Sequence, residues 1–301
     1  MKKLFGSLLL ALLLLPCGAG IALGGEELGG TLAKIKKDGV IIVGHRESSV
    51  PFSYYDSAQN VVGYAQDYSK LIVEAVKKKL GVSELTVKLV PITSQNRIPL
   101  LANGTYDFEC GSTTNNLERQ QQVAFSNTFF IIGTRLLVHK DSKITDFSDL
   151  KGRRVVVTAG TTSEKLLFLM NDRDKMNVQI ISTPTHGDSF RSLESGRAEA
   201  FFLDDVLLAG ERSRARNPSD WVIVGTPQSY EAYGCMLRKD DPQFKALVDE
   251  TIASAQLSGL AESSYEQWFK KPIPPRGAIM NFDLSEAMKD LLRNPNDKAF
   301  Q

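Results

Sequence analysis

Apolar and polar residues alternate along this chain with two different periods, which predicts strands and helices in succession. The helical period is clearest over 68–80, where Leu71, Ile72, Ala75, Val76 and Leu80 share one face. Further helices are predicted over 32–37, 165–171, 188–196, 242–258 and 285–293. Compact apolar or β-prone runs predict strands over 40–43, 85–91, 106–110, 129–138, 154–158, 178–182, 198–203 and 222–225. Strands and helices in alternation predict an α/β fold with largely parallel strands.

The stretch 104–126 combines a short strand with residues typical of an anion site. The strand 106–110 is followed by Ser112, Thr113 and Thr114, and then by Arg119. We interpret the small polar residues as the start of a helix at the carboxyl end of the strand. Free backbone N–H groups, hydroxyls and an arginine at such a place favour a carboxylate. The alternative is that the polar residues only cap a helix and that Arg119 is a surface charge.

Two earlier strands also end in polar residues. Arg46 follows the strand 40–43, and Ser94 and Arg97 follow the strand 85–91. In open parallel α/β sheets, ligands bind outside the carboxyl ends of the strands. We therefore expect these residues to converge with the 112–119 segment on one crevice.

The same construction begins again after the β-prone run 129–138. A strand over 154–158 leads into Gly160, Thr161 and Thr162, the next strand leads toward His186, and the third ends at Asp204 and Asp205. The pattern predicts a second lobe, 134–231, that is inserted into a first lobe formed by 31–133 and 232–301. The two lobes are expected to be joined by crossings near 133–138 and 226–233.

The N-terminal residues predict export. Lys2 and Lys3 precede an apolar run over 4–15, which is typical of a secretory signal peptide and too short to span a bilayer. We assign the signal peptide to 1–24. Residues 14–17 loosely resemble a lipobox, so a lipid anchor on Cys17 is an alternative, although Pro16 departs from the usual small residue.

Composition adds two expectations. A formal net charge of +1 over 301 residues does not favour nucleic acid as a partner. Once the signal is removed, Cys110 and Cys235 are the remaining cysteines, and two cysteines in an exported protein indicate one disulfide. Two free buried thiols are the alternative.

Motifs for catalysis are not found in the sequence. The histidines are His45, His139 and His186, which do not have the spacing of a metal site, and no Gly-x-Ser-x-Gly or Gly-Lys-Ser/Thr motif is present. We predict no cofactor and no catalytic residue. A triad of Ser112, His186 and Asp205 can be drawn, but a pocket rich in arginine suits the binding of an anion rather than acyl transfer.

Six segments resemble one protein family over nearly the whole mature length. They are GHRESSVPFSY (44–54), PITSQNRIPL (91–100), FECGSTTNN (108–116), GTTSE (160–164), HGDSFR (186–191) and YGCMLRKDDP (233–242). The chain resembles the extracytoplasmic solute-binding proteins of ABC amino-acid importers, and specifically their glutamate/aspartate-binding branch. The resemblance implies the two-lobed type II periplasmic-binding-protein fold, binding of L-glutamate and L-aspartate between the lobes, delivery to a membrane permease, a periplasmic location and a monomer.

The resemblance also implies roles for single residues. Thr114 and Arg119 correspond to the clamp for the α-carboxylate, Asp205 to the ammonium-binding acid, with Asp204 as its competitor, and Thr162 to the ligand contact of the second lobe. The remaining expected ligand contacts are Arg46, Ser94, Arg97 and His186, which would hold the side-chain carboxylate, and Ser112. The family topology places the returning strand beside the 106–110 strand, which would bring Cys110 and Cys235 together.

The charges of these residues favour an acidic ligand. Three arginines match a ligand with two carboxylates, whereas a neutral amino acid would leave a buried arginine unpaired at a cost of several kcal/mol. Because some exported proteins of this fold are enzymes, an enzyme acting on an amino-acid-like acid remains the alternative.

Overall fold

The computed structural model describes residues 27–299. The signal peptide predicted over 1–24, and Cys17 with it, lie outside these residues. Within them, the helices are α1 (Gly30–Asp38), α2 (Tyr64–Leu80), α3 (Arg97–Ala102), α4 (Thr162–Arg173), α5 (His186–Glu194), α6 (Asp205–Arg214), α7 (Pro242–Leu257), α8 (Leu260–Tyr265) and α9 (Glu286–Arg293). Short 3₁₀ turns cover Arg119–Gln121, Phe147–Leu150 and Pro218–Asp220, and a π-helical turn covers Glu266–Lys270.

The strands of the same residues form one large and one small sheet. They are β1 (Val40–His45), β2 (Ser48–Ser49), β3 (Ser53–Tyr55), β4 (Val61–Val62), β5 (Thr86–Pro91), β6 (Phe108–Glu109), β7 (Ala124–His139), β8 (Arg154–Thr158), β9 (Gln179–Thr183), β10 (Ala200–Asp204), β11 (Trp221–Val224) and β12 (Tyr230–Leu237). The large sheet has the order β5-β1-β6-β12-β7-β10-β8-β9, with β11 also paired to β7, and β2, β3 and β4 form the small sheet.

The long strand β7 divides the large sheet into two halves. Residues 124–133 of β7 pair with β12, and residues 134–139 pair with β10 and β11. We call the strands on the β12 side the first sheet half and those on the β10 side the second sheet half. The change of partner falls between Gly133, opposite Tyr230, and Thr134, opposite Asp204. The inner strands are parallel in both halves (β1 with β5 and β6, β8 with β9 and β10), which confirms the predicted α/β architecture.

Capping residues explain where the helices of the second half begin. The Thr161 hydroxyl accepts a hydrogen bond from the N–H of Glu164 at 3.0 Å, and the Thr185 hydroxyl accepts one from the N–H of Asp188 at 3.1 Å. Both helices therefore begin directly after a capping threonine, earlier than the apolar period predicted. As a result His186 is the first residue of α5.

The prediction that a helix begins at the small polar residues 112–114 is wrong. Thr114 forms a β-bridge with Tyr233, and the N–H of Asn115 donates to the carbonyl of Ala232 at 2.7 Å. Because this segment pairs with the returning strand β12, it stays extended and no α-helix follows it. Arg119 instead starts a three-residue 3₁₀ turn, and its own N–H donates to the Asn116 side chain at 2.9 Å.

Aromatic side chains fill the core of the first half. Phe130 lies at its centre, with ring centroids of Phe52 at 4.9 Å and Phe269 at 5.2 Å. Tyr265, Trp268 and Phe269 are buried in the same core. Burial of each such ring stabilises the fold by roughly 1.5–3 kcal/mol. Helix α9 packs back on β7, where the Ile131 N–H contacts the Met288 sulfur at 3.0 Å.

Cys110 and Cys235 form a disulfide, as predicted. Strands β6 and β12 are antiparallel, with Met236 opposite Glu109, so the two cysteines face each other with Cα atoms 4.3 Å apart. The bond joins residues separated by 125 positions.

None of the helices within residues 27–299 is both long and apolar enough to cross a membrane.

Candidate functional site

Three arginines are buried where the two sheet halves meet. Arg46 follows β1, Arg97 starts α3 and Arg119 starts the 3₁₀ turn, and their exposures are only 3%, 2% and 8%. Arginine is almost never buried unless it is paired, because loss of hydration disfavours an isolated charge. Three buried guanidinium groups within electrostatic reach of one another therefore mark a site that requires anions.

The Arg46 guanidinium is only partly paired. Its Nη2 lies 3.5 Å from Nε2 of His186, and Nη1 has no hydrogen-bond partner among residues 27–299. Burial lowers the pKa of Arg46 to about 9, and the nearby charge of Arg97 acts in the same direction. Both effects would be relieved by an anion placed against this side chain.

Arg97 is held from behind by a short chain of side chains. Its Nη1 donates to the Ser112 carbonyl at 3.0 Å and to the Thr113 hydroxyl at 2.6 Å, and the Thr113 hydroxyl donates in turn to Glu109. Burial lowers the pKa of Arg97, while Glu109 opposes that effect. The Nε group of Arg97 has no partner in the described part of the chain, so the guanidinium keeps a free donor.

Arg119 connects the two sheet halves. Its Nη1 donates to the Thr114 carbonyl at 2.9 Å, and its Nη2 donates to the Gly160 carbonyl at 3.3 Å. Burial lowers the pKa of Arg119 to about 10, and Arg97 adds to that effect. Thr114 contributes its backbone to this contact.

Two further contacts join the halves and close the crevice. The Thr162 hydroxyl donates to Glu231 at 3.0 Å, and the Tyr233 hydroxyl donates to Asp204. Together with the contacts of Arg46 and Arg119, they place the two halves in a closed arrangement. A groove of about 510 Å³ lies at the edge of this closed crevice and is lined in part by Thr114, Thr162 and Glu231.

His186 lies in the second half with its ring between two polar groups. Its Nδ1 is 2.9 Å from the Thr158 hydroxyl, and its Nε2 faces Arg46. The ring is 1% exposed, and burial lowers the pKa of His186 well below its usual value, with Arg46 and Arg97 adding to the effect. The imidazole is therefore neutral at neutral pH.

Asp204 and Asp205 have different surroundings. Asp204 ends β10 and is buried, and burial and then Glu231 raise its pKa to about 8, while Arg119 opposes them. Its Oδ1 has no hydrogen-bond partner within 27–299. Asp205 starts α6, and its pKa of about 6 reflects burial opposed by Arg135. Of the two acids, Asp204 is thus the one beside the site arginines.

The two predicted serines lie at the same crevice. Ser94 is buried, and its hydroxyl has no partner in the described chain. The Ser112 hydroxyl lies 3.4 Å from that of Ser49. His186 is bonded to Thr158 and Arg46 instead of Ser112, so the triad of Ser112, His186 and Asp205 does not form.

Glu109, Glu231 and Tyr233 also supply carboxylates and a hydroxyl to the site, and none of the three is among the residues predicted from the sequence. Thr113, which belongs to the predicted anion segment, links Arg97 to Glu109. The sequence does contain a signal for Glu109, because this residue lies between Phe108 and Cys110 in an apolar strand, where a buried charge needs a partner. Glu231 lies similarly in the second crossing. No group of acidic, histidine or cysteine side chains suited to a metal ion occurs among residues 27–299.

Comparison with known proteins gives a consistent result. A family model described as "Bacterial extracellular solute-binding proteins, family 3" matches residues 41–271. The chain is 65% identical over 292 residues to the glutamate/aspartate import solute-binding protein of Salmonella typhimurium, covering 96% of this chain and 97% of that protein. It is 54% identical over 275 residues to the L-glutamate/L-aspartate-binding protein of Pseudomonas aeruginosa, covering 91% of each.

Solved structures of amino-acid-binding proteins share this fold at lower sequence identity than the relatives above. The crystal structure of a mutant of ArgBP from T. maritima superposes with a TM-score of 0.70 and 28% identity, covering 79% of this chain and 98% of that one.

Proposed function

Because the chain belongs to the bacterial extracellular solute-binding proteins of family 3, we propose that it captures L-glutamate and L-aspartate in the closed crevice for an ABC importer. Its fold is that of the type II periplasmic binding proteins. The relatives named above are binding proteins of importers rather than enzymes, and this chain is likewise a binding protein.

One observation carries the choice of ligand class: three buried arginines meet in one crevice, and Nη1 of Arg46 and Nε of Arg97 have no hydrogen-bond partner among residues 27–299. A dicarboxylic amino acid brings two carboxylates to such a site. A buried guanidinium without an anion would retain its desolvation cost. The arrangement therefore supports an acidic amino acid over a neutral or basic one.

The arginines are proposed to divide the two carboxylates. Arg119, with Thr114 beside it and Thr162 opposite, is suited to the α-carboxylate, which is common to all amino acids. Arg46 and Arg97, with the hydroxyl of Ser94 and the ring of His186, are suited to the side-chain carboxylate. Ser112, whose carbonyl accepts from Arg97, is proposed as a further ligand contact. A carboxylate held by arginine is charge-assisted and gains geometric specificity.

For the ammonium group we propose Asp204 in place of Asp205. The Oδ1 atoms of both acids lack a partner among residues 27–299, but Arg135 compensates the charge of Asp205. The pKa of Asp204 is raised by burial and by Glu231, so a cation beside it would be favourable. The Tyr233 hydroxyl donates to the other oxygen of Asp204, Oδ2, and so holds the carboxylate in place.

The remaining steps of transport are proposed from the same premise. The two sheet halves would form two lobes, 31–133 with 232–301 and 134–231, that hinge where β7 changes partner and along 226–233. The closed, loaded protein would deliver its ligand to a membrane permease. We further propose a periplasmic monomer, exported by the signal peptide at 1–24, that does not bind nucleic acid.

Calorimetric titration of the exported protein with the twenty amino acids tests the proposal. We expect saturable binding of L-glutamate and L-aspartate, much weaker binding of L-glutamine and L-arginine, and recovery of the bound ligand unchanged by mass spectrometry. Absence of glutamate and aspartate binding, or conversion of either ligand, would contradict it.

A further inference from the structure

Behind His186, three hydroxyl groups form a continuous chain within the second sheet half. The Thr158 hydroxyl lies 2.9 Å from Nδ1 of His186 and 2.8 Å from the Ser189 hydroxyl, which lies 2.6 Å from the Thr183 hydroxyl. We call Thr158, Ser189 and Thr183 the hydroxyl chain. Thr158 and Ser189 are fully buried, so water does not compete for these bonds.

The chain can run in either direction. In one direction, Nδ1–H of His186 donates to Thr158, Thr158 donates to Ser189, and Ser189 donates to the Thr185 carbonyl at 3.2 Å. In the other direction, Thr183 donates to Ser189, Ser189 donates to Thr158, and Thr158 donates to Nδ1. Every hydroxyl keeps a partner in both cases, because a hydroxyl is both donor and acceptor. A change of direction requires only rotation of hydroxyl hydrogens.

The direction decides what Nε2 offers to the crevice. A neutral imidazole carries its hydrogen on one nitrogen, and the bond made by the other nitrogen sets which one. Arg46 can only donate, so its contact at 3.5 Å needs a lone pair on Nε2 and the hydrogen on Nδ1. An ionised carboxylate can only accept, so it needs the hydrogen on Nε2.

We propose that the hydroxyl chain positions the hydrogen of His186: it supports Nε2–H when a ligand carboxylate faces the ring and Nδ1–H when Arg46 is the partner. Thr158 and Ser189 are then positioning residues for ligand selection, which act through His186 without touching the ligand. This inference rests on the proposed function, since it assigns the carboxylate to the side chain of glutamate or aspartate. It explains how a neutral histidine serves both a cation and an anion.

Four variants test the chain. Thr158→Val keeps the shape of the side chain and removes the hydroxyl, whereas Thr158→Ser retains it. Ser189→Ala leaves the Thr158 hydroxyl without its acceptor, so that it donates to Nδ1. Ser192→Ala is the matched control, because Ser192 is a buried serine on the same helix whose hydroxyl donates only to the Asp188 carbonyl, at 3.0 Å.

The measurements are the ¹⁵N signals of the His186 ring and calorimetric titration of the full protein. With L-glutamate bound, we expect the hydrogen on Nε2. Thr158→Val should lower glutamate affinity about tenfold or more, because Nδ1 then has no donor in the closed glutamate complex, whereas in the open, ligand-free protein the ring can turn to water. It should lower glutamine affinity less, because an amide can also donate to a lone pair. Thr158→Ser should restore the affinity, and Ser192→Ala should match the original protein.

Two results would overturn the inference. One is a hydrogen that stays on Nδ1 in the glutamate complex, and the other is a Thr158→Val protein with unchanged affinities for glutamate and glutamine. Failure of the inference can be distinguished from failure of the proposed function, because the ¹⁵N signals of the ligand-free protein test the hydroxyl chain without any ligand. There, Ser189→Ala should shift the ring signals toward the Nε2–H form and Ser192→Ala should not; equal signals in the two variants would also refute the chain.

Discussion

Gly160 and Gln95 touch through their backbones across the crevice. A Cβ atom on Gly160 would lie 2.5 Å from Cα and 2.7 Å from the backbone nitrogen of Gln95. Gly160 also has a φ angle of +77°, and its carbonyl accepts a hydrogen bond from Arg119. Because the opposing atoms are backbone, they cannot move aside as a flexible side chain would. The closed arrangement thus depends on a missing side chain at this position.

Gly160→Ala is therefore expected to hinder closure. Glutamate affinity should fall roughly tenfold or more, because a smaller fraction of the protein can reach the closed state. Small-angle scattering should show less compaction with L-glutamate than the original protein shows.

The matched control is Gly152→Ala. Gly152 has a similar φ of +73° with nothing within 4 Å of an added Cβ, so the substitution introduces the backbone strain without the contact. If both variants lose affinity equally, closure is not limited by the contact with Gln95.

The disulfide between Cys110 and Cys235 is expected to contribute strongly to the stability of the folded protein. It closes a loop between residues 125 positions apart, and cross-links over long loops restrict the unfolded chain most. Replacement of both cysteines by alanine should lower the free energy of unfolding by about 2–5 kcal/mol in denaturant titration. A reductant should lower the stability of the original protein by a similar amount and leave the double variant unchanged. A reductant effect on the double variant would show that the loss has another source.

The features that the sequence predicted well are those set by local pattern. Strands such as β8 and helices such as α7 follow runs of apolar residues whose period is independent of distant parts of the chain. The cysteine pair could be predicted from the count of cysteines and from the resemblance. The site arginines could be found because each one directly follows a strand or a turn.

The predictions that failed concern residues whose structure is set by contacts with distant parts of the chain. The 112–119 segment has the composition of a helix start, but Thr114 pairs with Tyr233 from the returning strand, and this pairing overrides the local preference. Glu109 alternates with Phe108 and Cys110, a pattern typical of a strand with one polar face, whereas both residues of β6 are buried and the strand lies between β1 and β12 in the sheet. Which of Asp204 and Asp205 binds the ammonium group is a separate question, because it depends on the residue at which β10 ends, and periodicity does not resolve a single residue.

Glu211 predicts a pH-dependent stability. This carboxyl is 2% exposed on α6, Arg214 lies 3.7 Å away, and burial raises the pKa of Glu211 to about 7 from its ordinary value of 4.5. A raised pKa means that the folded protein holds the proton more tightly than the unfolded chain. Its stabilising effect is complete below about pH 4.5 and is lost as the pH rises to about 7.

Glu211→Gln should remove the loss of stability that accompanies ionisation of this carboxyl at higher pH. We expect it to raise the free energy of unfolding by about 1–3 kcal/mol at pH 8 and by much less at pH 5. Glu250→Gln, at an exposed position of α7, serves as the control and should leave the free energy of unfolding unchanged at both pH 5 and pH 8. An equal effect of Glu211→Gln at pH 5 and pH 8 would rule out the titration of this group as the cause.

The two neighbouring acids offer a direct test of the ammonium site. Asp204→Asn keeps an acceptor for the Tyr233 hydroxyl and removes the charge, so it should weaken every amino-acid ligand by about 2–4 kcal/mol. Asp205→Asn, beside Arg135, should change affinity by less than about 0.5 kcal/mol. Calorimetry with L-glutamate and L-aspartate compares them. The reverse order of effects would restore Asp205 as the ammonium-binding acid.

The last prediction separates the roles of two arginines. Arg119 donates to the Thr114 carbonyl and spans to Gly160, where it can hold the α-carboxylate that every amino acid presents. Arg97 is backed by Thr113 and Glu109, and its Nε has no partner among residues 27–299, so it can donate to the side-chain carboxylate. Arg97→Ala should weaken glutamate by about 2–4 kcal/mol, the cost of breaking a buried charge pair. It should weaken glutamine less, because an uncharged amide gains less from a guanidinium, so the preference for glutamate over glutamine should narrow. Arg119→Ala should weaken both ligands about equally. Calorimetric titration of both variants with both ligands measures the two ratios, and a wild-type ratio in Arg97→Ala would show that Arg97 does not recognise the side-chain carboxylate.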